Sequence, residues 1–119
     1  MGNLNPQPVG IEYQGKVYRC VFTLNCIDEV QEHYDLSLSG IIDLFIDGKR
    51  AARNVRYLLT LLLNESEDCE KALDEAEVGA AIDVRTFGYY YGKVLEALGV
   101  SLPDAEDEGD DPEAAAGQS

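Results

Sequence analysis

The densest run of apolar residues in the chain lies in residues 48–65, GKRAARNVRYLLTLLLNE. Residues 49–64 read as one helix, about 24 Å long at a rise of about 1.5 Å per residue. Apolar residues recur in it at the i, i+3, i+4, i+7 spacing of a helix face that packs on a core: Ala52, Val55, Leu59 and Leu62.

Three further leucines, Leu58, Leu61 and Leu63, lie outside that stripe, so the second half of this helix is apolar on nearly all sides. Such a helix is either wrapped by other helices or left with a face that needs a partner. We therefore take Leu58 and Leu61, together with Leu62 of the stripe, as a candidate partner-binding face.

The first half of the same helix holds four of the nine basic residues of the chain: Lys49, Arg50, Arg53 and Arg56. Cations at a helix N-terminus oppose the helix dipole and cost a few tenths to about 1 kcal/mol each. One explanation is local neutralisation by Asp43 and Asp47, just upstream, together with a solvated helix face. The other is a docking patch made by Arg53 and Arg56, because guanidinium groups bind carboxylates in a bidentate geometry.

Two short strands joined by a turn precede the helices. Residues 9–22, VGIEYQGKVYRCVF, alternate around Gln14-Gly15, and the glycine supplies the positive φ that tight hairpin turns require. Pairing Tyr13 with Lys16 brings the apolar residues to one face: Val9, Ile11, Tyr18, Cys20 and Phe22. Because a lone hairpin is marginal in water, this face should pack on helices.

Capping residues predict where the first two helices begin. Thr23 is the predicted N-cap of a helix that runs to about Tyr34. Ser37 or Ser39 begins another short helix, which ends at Gly48.

Asp74 and Glu77 form a D-x-x-E capping box and predict a further helix start. The chain from 75 to 98 is then helical, either continuous or broken near Asp83, and Gly99 ends it. The expected fold is α+β and mostly α: an N-terminal β-hairpin packed on a bundle of about four to five short helices.

The length of 119 residues and the 45% apolar composition fit one domain with a modest core. With 23 acidic and 9 basic residues the net charge is -14, which disfavours binding to nucleic acid or anionic membrane. No stretch approaches the ~20 apolar residues of a membrane span, and no signal region is present. Three cysteines without a CxxC pair indicate reduced thiols. We expect a soluble, cytoplasmic protein.

Half of this net charge is concentrated at the C-terminal end. Residues 104–119 contain seven acidic residues, no basic residue and no large apolar residue, so we expect a disordered acidic tail. Residues 1–8 are an expected flexible N-terminus. The single globular domain would then be residues 9–103, with 16 acidic and 9 basic residues.

Catalytic and metal-binding patterns are missing from the sequence. It has no glycine-rich phosphate loop, no cluster of metal ligands and no nucleophile elbow. Residues 43–54 superficially suggest a calcium loop, but Phe45 and Asn54 occupy its third and twelfth positions, where oxygen ligands are needed. His33, the only histidine, has no partner at motif spacing. We expect no enzyme activity and no cofactor or metal.

The order of segments resembles a known family. A hairpin with Tyr13, Gly15, Lys16 and Tyr18 is followed by EHYDLSLSGIIDLF, then RNVRYLLTLLLNE, a DEAEV helix start and a final ALGVSLP. This order is similar to that of the tail assembly chaperones of long-tailed bacteriophages and related prophage elements, over about residues 9–103. The likeness lies in element order and apolar pattern, without a diagnostic motif.

The resemblance implies a non-enzymatic chaperone that binds the tape measure protein and keeps it soluble during tail tube assembly. It would act in the host cytoplasm and be absent from the mature virion. In that family a longer product, made by ribosomal frameshifting, recruits the major tail tube protein, and self-association is possible. The family gives no fixed set of functional residues, so Arg53, Arg56, Leu58, Leu61 and Leu62 rest on physical reasoning alone.

Two alternatives belong to other classes. One is a structural tail component of the connector or tube-terminator type. The other is an acidic inhibitor that imitates DNA, which the charge of -14 favours. Against the inhibitor, half of the charge lies in the tail and the domain also carries a basic cluster.

Overall fold

Two antiparallel strands and five helices make up residues 8–99, the part of the chain that this computed structural model describes. In chain order they are β1 (Val9–Tyr13), β2 (Lys16–Cys20), α1 (Leu24–Tyr34), α2 (Leu38–Asp47), α3 (Ala51–Glu65), α4 (Glu75–Ala81) and α5 (Phe87–Ala97). This confirms the predicted α+β, mostly helical fold with an N-terminal hairpin. The tail prediction for 104–119 lies outside the described residues, as does all of the predicted N-terminus except Pro8.

The hairpin has the predicted register. Tyr13 pairs with Lys16 and Val9 with Cys20. The turn residues Gln14 and Gly15 both have positive φ, 53° and 78°, as a tight hairpin turn requires. The inward face of both strands is buried, whereas Phe22 lies beyond β2 and is half-buried against the core.

Helix α3 is the centre of the core, with contacts to α1, α4, α5 and β2. Because neighbours surround it, Leu58 and Leu62 are only 0% and 1% exposed, and Leu61 is half-buried. The expectation that Leu58, Leu61 and Leu62 form an exposed partner-binding face is therefore wrong. Of the two alternatives for this apolar helix, wrapping is the one observed.

Short polar side chains cap three of the helices as predicted. The Thr23 side chain accepts a hydrogen bond from the Cys26 N–H at 3.2 Å, and Ser37 accepts one from the Gly40 N–H at 3.1 Å. Asp74 and Glu77 form the reciprocal capping box at the start of α4. Each cap supplies an acceptor to a helix N–H that has no partner within the helix.

Helices α4 and α5 are separate, so of the two alternatives for residues 75–98 the break near Asp83 is the one observed. The Asp83 carboxylate accepts hydrogen bonds from the N–H groups of Arg85 and Thr86, and residues 84–86 form a turn between the two helices. Helix α5 then packs on the hairpin, where the Tyr90 hydroxyl donates to the Glu12 carbonyl at 2.7 Å. Gly99, with φ of 84°, ends the helical region as expected.

Candidate functional site

Helix α3 begins without a side-chain cap. Its N-cap position is held by Arg50, with φ of -121° and ψ of 45°, and no side chain accepts from the first turn. An arginine offers hydrogen-bond donors and no acceptor, so it cannot satisfy the N–H groups that the first turn leaves unpaired. This end of the helix therefore keeps its partial positive charge.

Four exposed cations surround this uncapped end, and we call them the basic patch: Lys49, Arg50, Arg53 and Arg56. Arg56 pairs with Glu75 of α4, Nε to Oε1 at 3.6 Å. Among residues 8–99, Lys49, Arg50 and Arg53 have no acidic oxygen within 4.0 Å. Neutralisation by direct ion pairs with Asp43 and Asp47 is therefore not observed within residues 8–99, whereas the exposure of all four cations agrees with the solvated face that was expected with it.

A groove of about 570 Å³ runs between the first turns of α3 and the α4–α5 connection, and we call it the apolar groove. Its walls are mostly apolar: Ala51, Ala52, Val55, Ile82, Val84 and Phe87. Val84 is 90% exposed, and Lys49, Arg56 and Asp83 add charge to its lining. An apolar channel with charged neighbours is the kind of surface that takes one face of an amphipathic helix.

The position of Arg56 depends on a glycine in α4. A Cβ added at Gly79 would lie 2.9 Å from Arg56 Cδ, so the side chain of Arg56 runs across the surface that Gly79 leaves open. Arg56 lines the apolar groove and also a second pocket on the other side of α3. It is therefore the shared boundary of the two.

The second pocket, of about 410 Å³, lies between α1, α2 and α3, and we call it the aromatic pocket. One wall is a ring cluster: His33 stacks on Tyr57 with centroids 3.8 Å apart and planes at 11°, and Tyr34 meets both rings edge-on. Arg50, Arg53 and Glu75 also line the pocket. His33 thus has a packing role in the described chain.

Asn54 brings a buried amide to this pocket. It is 3% exposed, and its Oδ1 accepts a hydrogen bond from the Tyr34 hydroxyl at 2.9 Å. Burial raises the pKa of Tyr34 to about 12, which keeps this hydroxyl protonated as a donor. The Nδ2 group of Asn54 has no hydrogen-bond partner. A buried donor without an acceptor is unfavourable and therefore rare in native proteins.

The structure brings together some of the predicted residues and separates others. Arg53 and Arg56 are exposed and share the basic patch, whereas Leu58 and Leu62 belong to the core. The sequence reading missed Asn54. The available signal was its position four residues before Leu58, which places a polar amide on the same buried helix face.

Residues 8–99 contain no group of three or more His, Cys, Asp or Glu side chains placed to hold a metal ion. The three cysteines are free thiols, and burial raises the pKa of Cys20 to about 12. None of the described helices is long and apolar enough to cross a membrane.

No family model, curated protein or solved structure matches this chain.

Proposed function

We propose that this chain is a bacteriophage tail assembly chaperone, which binds the tape measure protein and keeps it soluble while the tail tube assembles. The observation that carries the proposal is the apolar groove lying directly beside the basic patch at the start of α3. The element order of the resemblance, a hairpin followed by short helices, agrees with the described fold.

In this proposal the apolar groove, instead of the leucines of α3, provides the apolar contact with the client. A long helical client presents apolar stripes that aggregate in water, and covering them gains about 25 cal/mol per Å² before the costs of association. Because Val84 is 90% exposed and Phe87 half-buried, the groove offers apolar surface without unfolding the core. A chaperone of this kind binds through a preformed surface.

The basic patch fixes which client segments fit. Lys49 and Arg56 line both the groove and the patch, so an acidic residue flanking a client's apolar stripe would meet a cation there. Complementary charge contributes mainly to specificity and association rate. The preferred client segment is therefore an amphipathic helix with acidic residues beside its apolar face.

Charge reversal of Arg53 and Arg56 tests the proposal. We expect Arg53→Glu with Arg56→Glu to leave the fold intact and to lower the amount of co-expressed tape measure protein that stays soluble. The loss should be larger at low salt, because the missing attraction is less screened there. The matched control is Lys71→Glu with Lys93→Glu, which changes the net charge equally at positions away from the basic patch.

The apolar groove is tested in the same assay with Val84→Asp. This exposed position can accept a charge without disturbing the core, so lost client solubility would report on the groove. Leu24→Asp is the control, since Leu24 is 78% exposed at the start of α1 and lies outside the groove. Equal yields from all four variants would remove this surface from the mechanism. A wild type that fails to keep the client soluble would overturn the chaperone proposal itself.

A further inference from the structure

The aromatic pocket contains a donor that the chain itself leaves unused. Asn54 is 3% exposed and Tyr34 satisfies its oxygen, yet its Nδ2 has no partner. Elsewhere on the same helix, Asn64 has both halves of its amide bonded to the backbone of Leu73. Incomplete bonding is thus specific to the N-terminal end of α3.

The surroundings of Asn54 favour an anion as the missing partner. Arg50 and Arg53 line the pocket and have no acidic oxygen within 4.0 Å among residues 8–99. The uncapped N-terminus of α3, a helix of 15 residues, adds partial positive charge at the same place. The two arginines, the N-terminus of the helix and the unpaired amide all favour an acceptor that carries negative charge.

The pocket also indicates which anion fits. One carboxylate, that of Glu75, already lines it and lies 3.6 Å from Arg56 Nε. With Arg56 engaged in that way, two guanidinium groups and one amide remain for a second planar oxyanion. A carboxylate matches this set because its two oxygens can accept from the amide and from a guanidinium fork together.

We propose that the aromatic pocket binds a carboxylate of an acidic polypeptide segment, with Asn54 Nδ2 donating to one oxygen and Arg50 or Arg53 to the other. Nδ2 is closed off from solvent in the free chain. An incoming oxygen must therefore displace a neighbouring side chain, and the exposed arginines are the residues able to move. The stacked rings of His33 and Tyr57 form the other wall of the pocket.

Two sources present this chemistry: a separate acidic peptide, or the acidic residues of the chain itself. Residues 104–113, DAEDEGDDPE, contain seven carboxylates among ten residues. Fully extended, the 14 residues from 100 to 113 span about 46–50 Å, against a longest dimension of 44 Å. The segment is thus long enough to span the described residues when extended, and covalent linkage would give it a high effective concentration. The pocket proposal does not depend on the chaperone function.

The test follows the side-chain amide signals of Asn54 by NMR in the full-length, ¹⁵N-labelled chain. One protein is the wild type and the other, the amide variant, has every Asp and Glu of residues 104–113 replaced by Asn or Gln. The probe is a synthetic peptide of residues 104–113. In the amide variant, the probe should shift the Asn54 signals saturably. The Asn64 amide signals, whose partners are complete, should stay in place and serve as the control within the same spectrum.

Comparison of the two proteins before addition identifies the source. If the wild type already shows the shifted Asn54 signals, the chain's own segment occupies the pocket. If the two free spectra coincide and the probe binds both equally, the ligand comes from another polypeptide. Either result supports the carboxylate site.

Substitutions then define the donors, with the affinity for the probe measured by titration calorimetry because Asn54→Asp removes the amide signals themselves. Asn54→Asp keeps the acceptor for Tyr34 and replaces the donor by a negative oxygen, so it should weaken probe binding by about tenfold or more, the worth of one charge-assisted hydrogen bond. Arg50→Gln with Arg53→Gln should do the same, whereas Lys71→Gln should not. Absence of a saturable Asn54 shift in the amide variant would overturn the proposal. So would a larger shift with inorganic phosphate than with the peptide at equal concentration.

Discussion

At its C-terminal end α3 holds Asn64 with every amide group bonded, whereas near its N-terminal end it holds Asn54 with half of the amide unused. Asn64 Nδ2 donates to the Leu73 carbonyl at 2.9 Å, and its Oδ1 accepts from the Leu73 N–H at 2.8 Å. Asn54 has Tyr34 alone as a partner. The same residue type serves the fold at one end and is left incomplete at the other.

The neighbours of the two asparagines differ in the same way. Beyond Asn64, Ser66 donates to the Arg19 carbonyl at 2.9 Å, and Asp68 accepts from Arg19 Nη2 at 2.7 Å and Nε at 2.9 Å. These bonds tie β2 to the end of α3. Around Asn54 the arginines project to solvent. The C-terminal end of α3, around Asn64, thus joins the hairpin to the helices. The N-terminal end, around Asn54, has unpaired donors that a ligand or partner can bind.

The largest expected difference between the two halves of α3 is in stability. Leu62→Ala should lower the free energy of unfolding by about 2–5 kcal/mol, because Leu62 is fully packed and its removal leaves a cavity. Arg53→Ala, at the other end, should change it by less than about 0.5 kcal/mol. Denaturant unfolding at one salt concentration measures both. A loss below about 1 kcal/mol for Leu62→Ala would show that the leucine face is not core after all.

A smaller effect distinguishes the two asparagines directly. Asn64→Asp replaces the donor to the Leu73 carbonyl by a negative oxygen and should cost about 1–3 kcal/mol, the penalty for a lost and reversed hydrogen bond. Asn54→Asp breaks no existing bond and places its charge beside Arg50 and Arg53, so its cost should be smaller. The two thermal or denaturant midpoints decide the order. A greater loss for Asn54→Asp would mean that Arg50 and Arg53 do not compensate a buried carboxylate at this position, which would count against the proposed site.

Much of the fold was predictable because its signals are local. Thr23, Ser37 and the Asp74–Glu77 pair act on helix turns within three residues of themselves, and the hairpin register follows from Gln14-Gly15. Such features need no knowledge of distant neighbours.

The candidate site was less predictable because it depends on elements that meet only in the folded chain. The pattern of α3 indicated apolar residues on nearly all sides, but it could not identify the helices that cover Leu58 and Leu62. Arg56 pairs with Glu75, which is 19 positions away, instead of the nearby Asp43 or Asp47. The lack of an acceptor for Asn54 Nδ2 can be recognised only when the positions of all the surrounding acceptors are known.

The smallest effect we predict is a pH-dependent contribution to stability from the Arg19–Asp68 contact, just beyond the C-terminal end of α3. Hydrogen bonds and charge from Arg19 hold the pKa of the Asp68 carboxyl well below its usual range. A carboxyl whose pKa is lowered on folding stabilises the native state at pH values above its ordinary pKa of about 4, and the contribution is lost as pH falls towards the folded-state pKa. Asp68→Asn should therefore lower the thermal midpoint at pH 7, and the gap to wild type should shrink steadily below about pH 4. Asp43→Asn, at an exposed carboxyl without an ion pair among residues 8–99, should change the midpoint little at neutral pH. If the Asp68→Asn gap were instead constant from pH 7 to pH 2, the Arg19 contact would not stabilise the fold through charge, and the contrast between the two ends of α3 would rest on the asparagines alone.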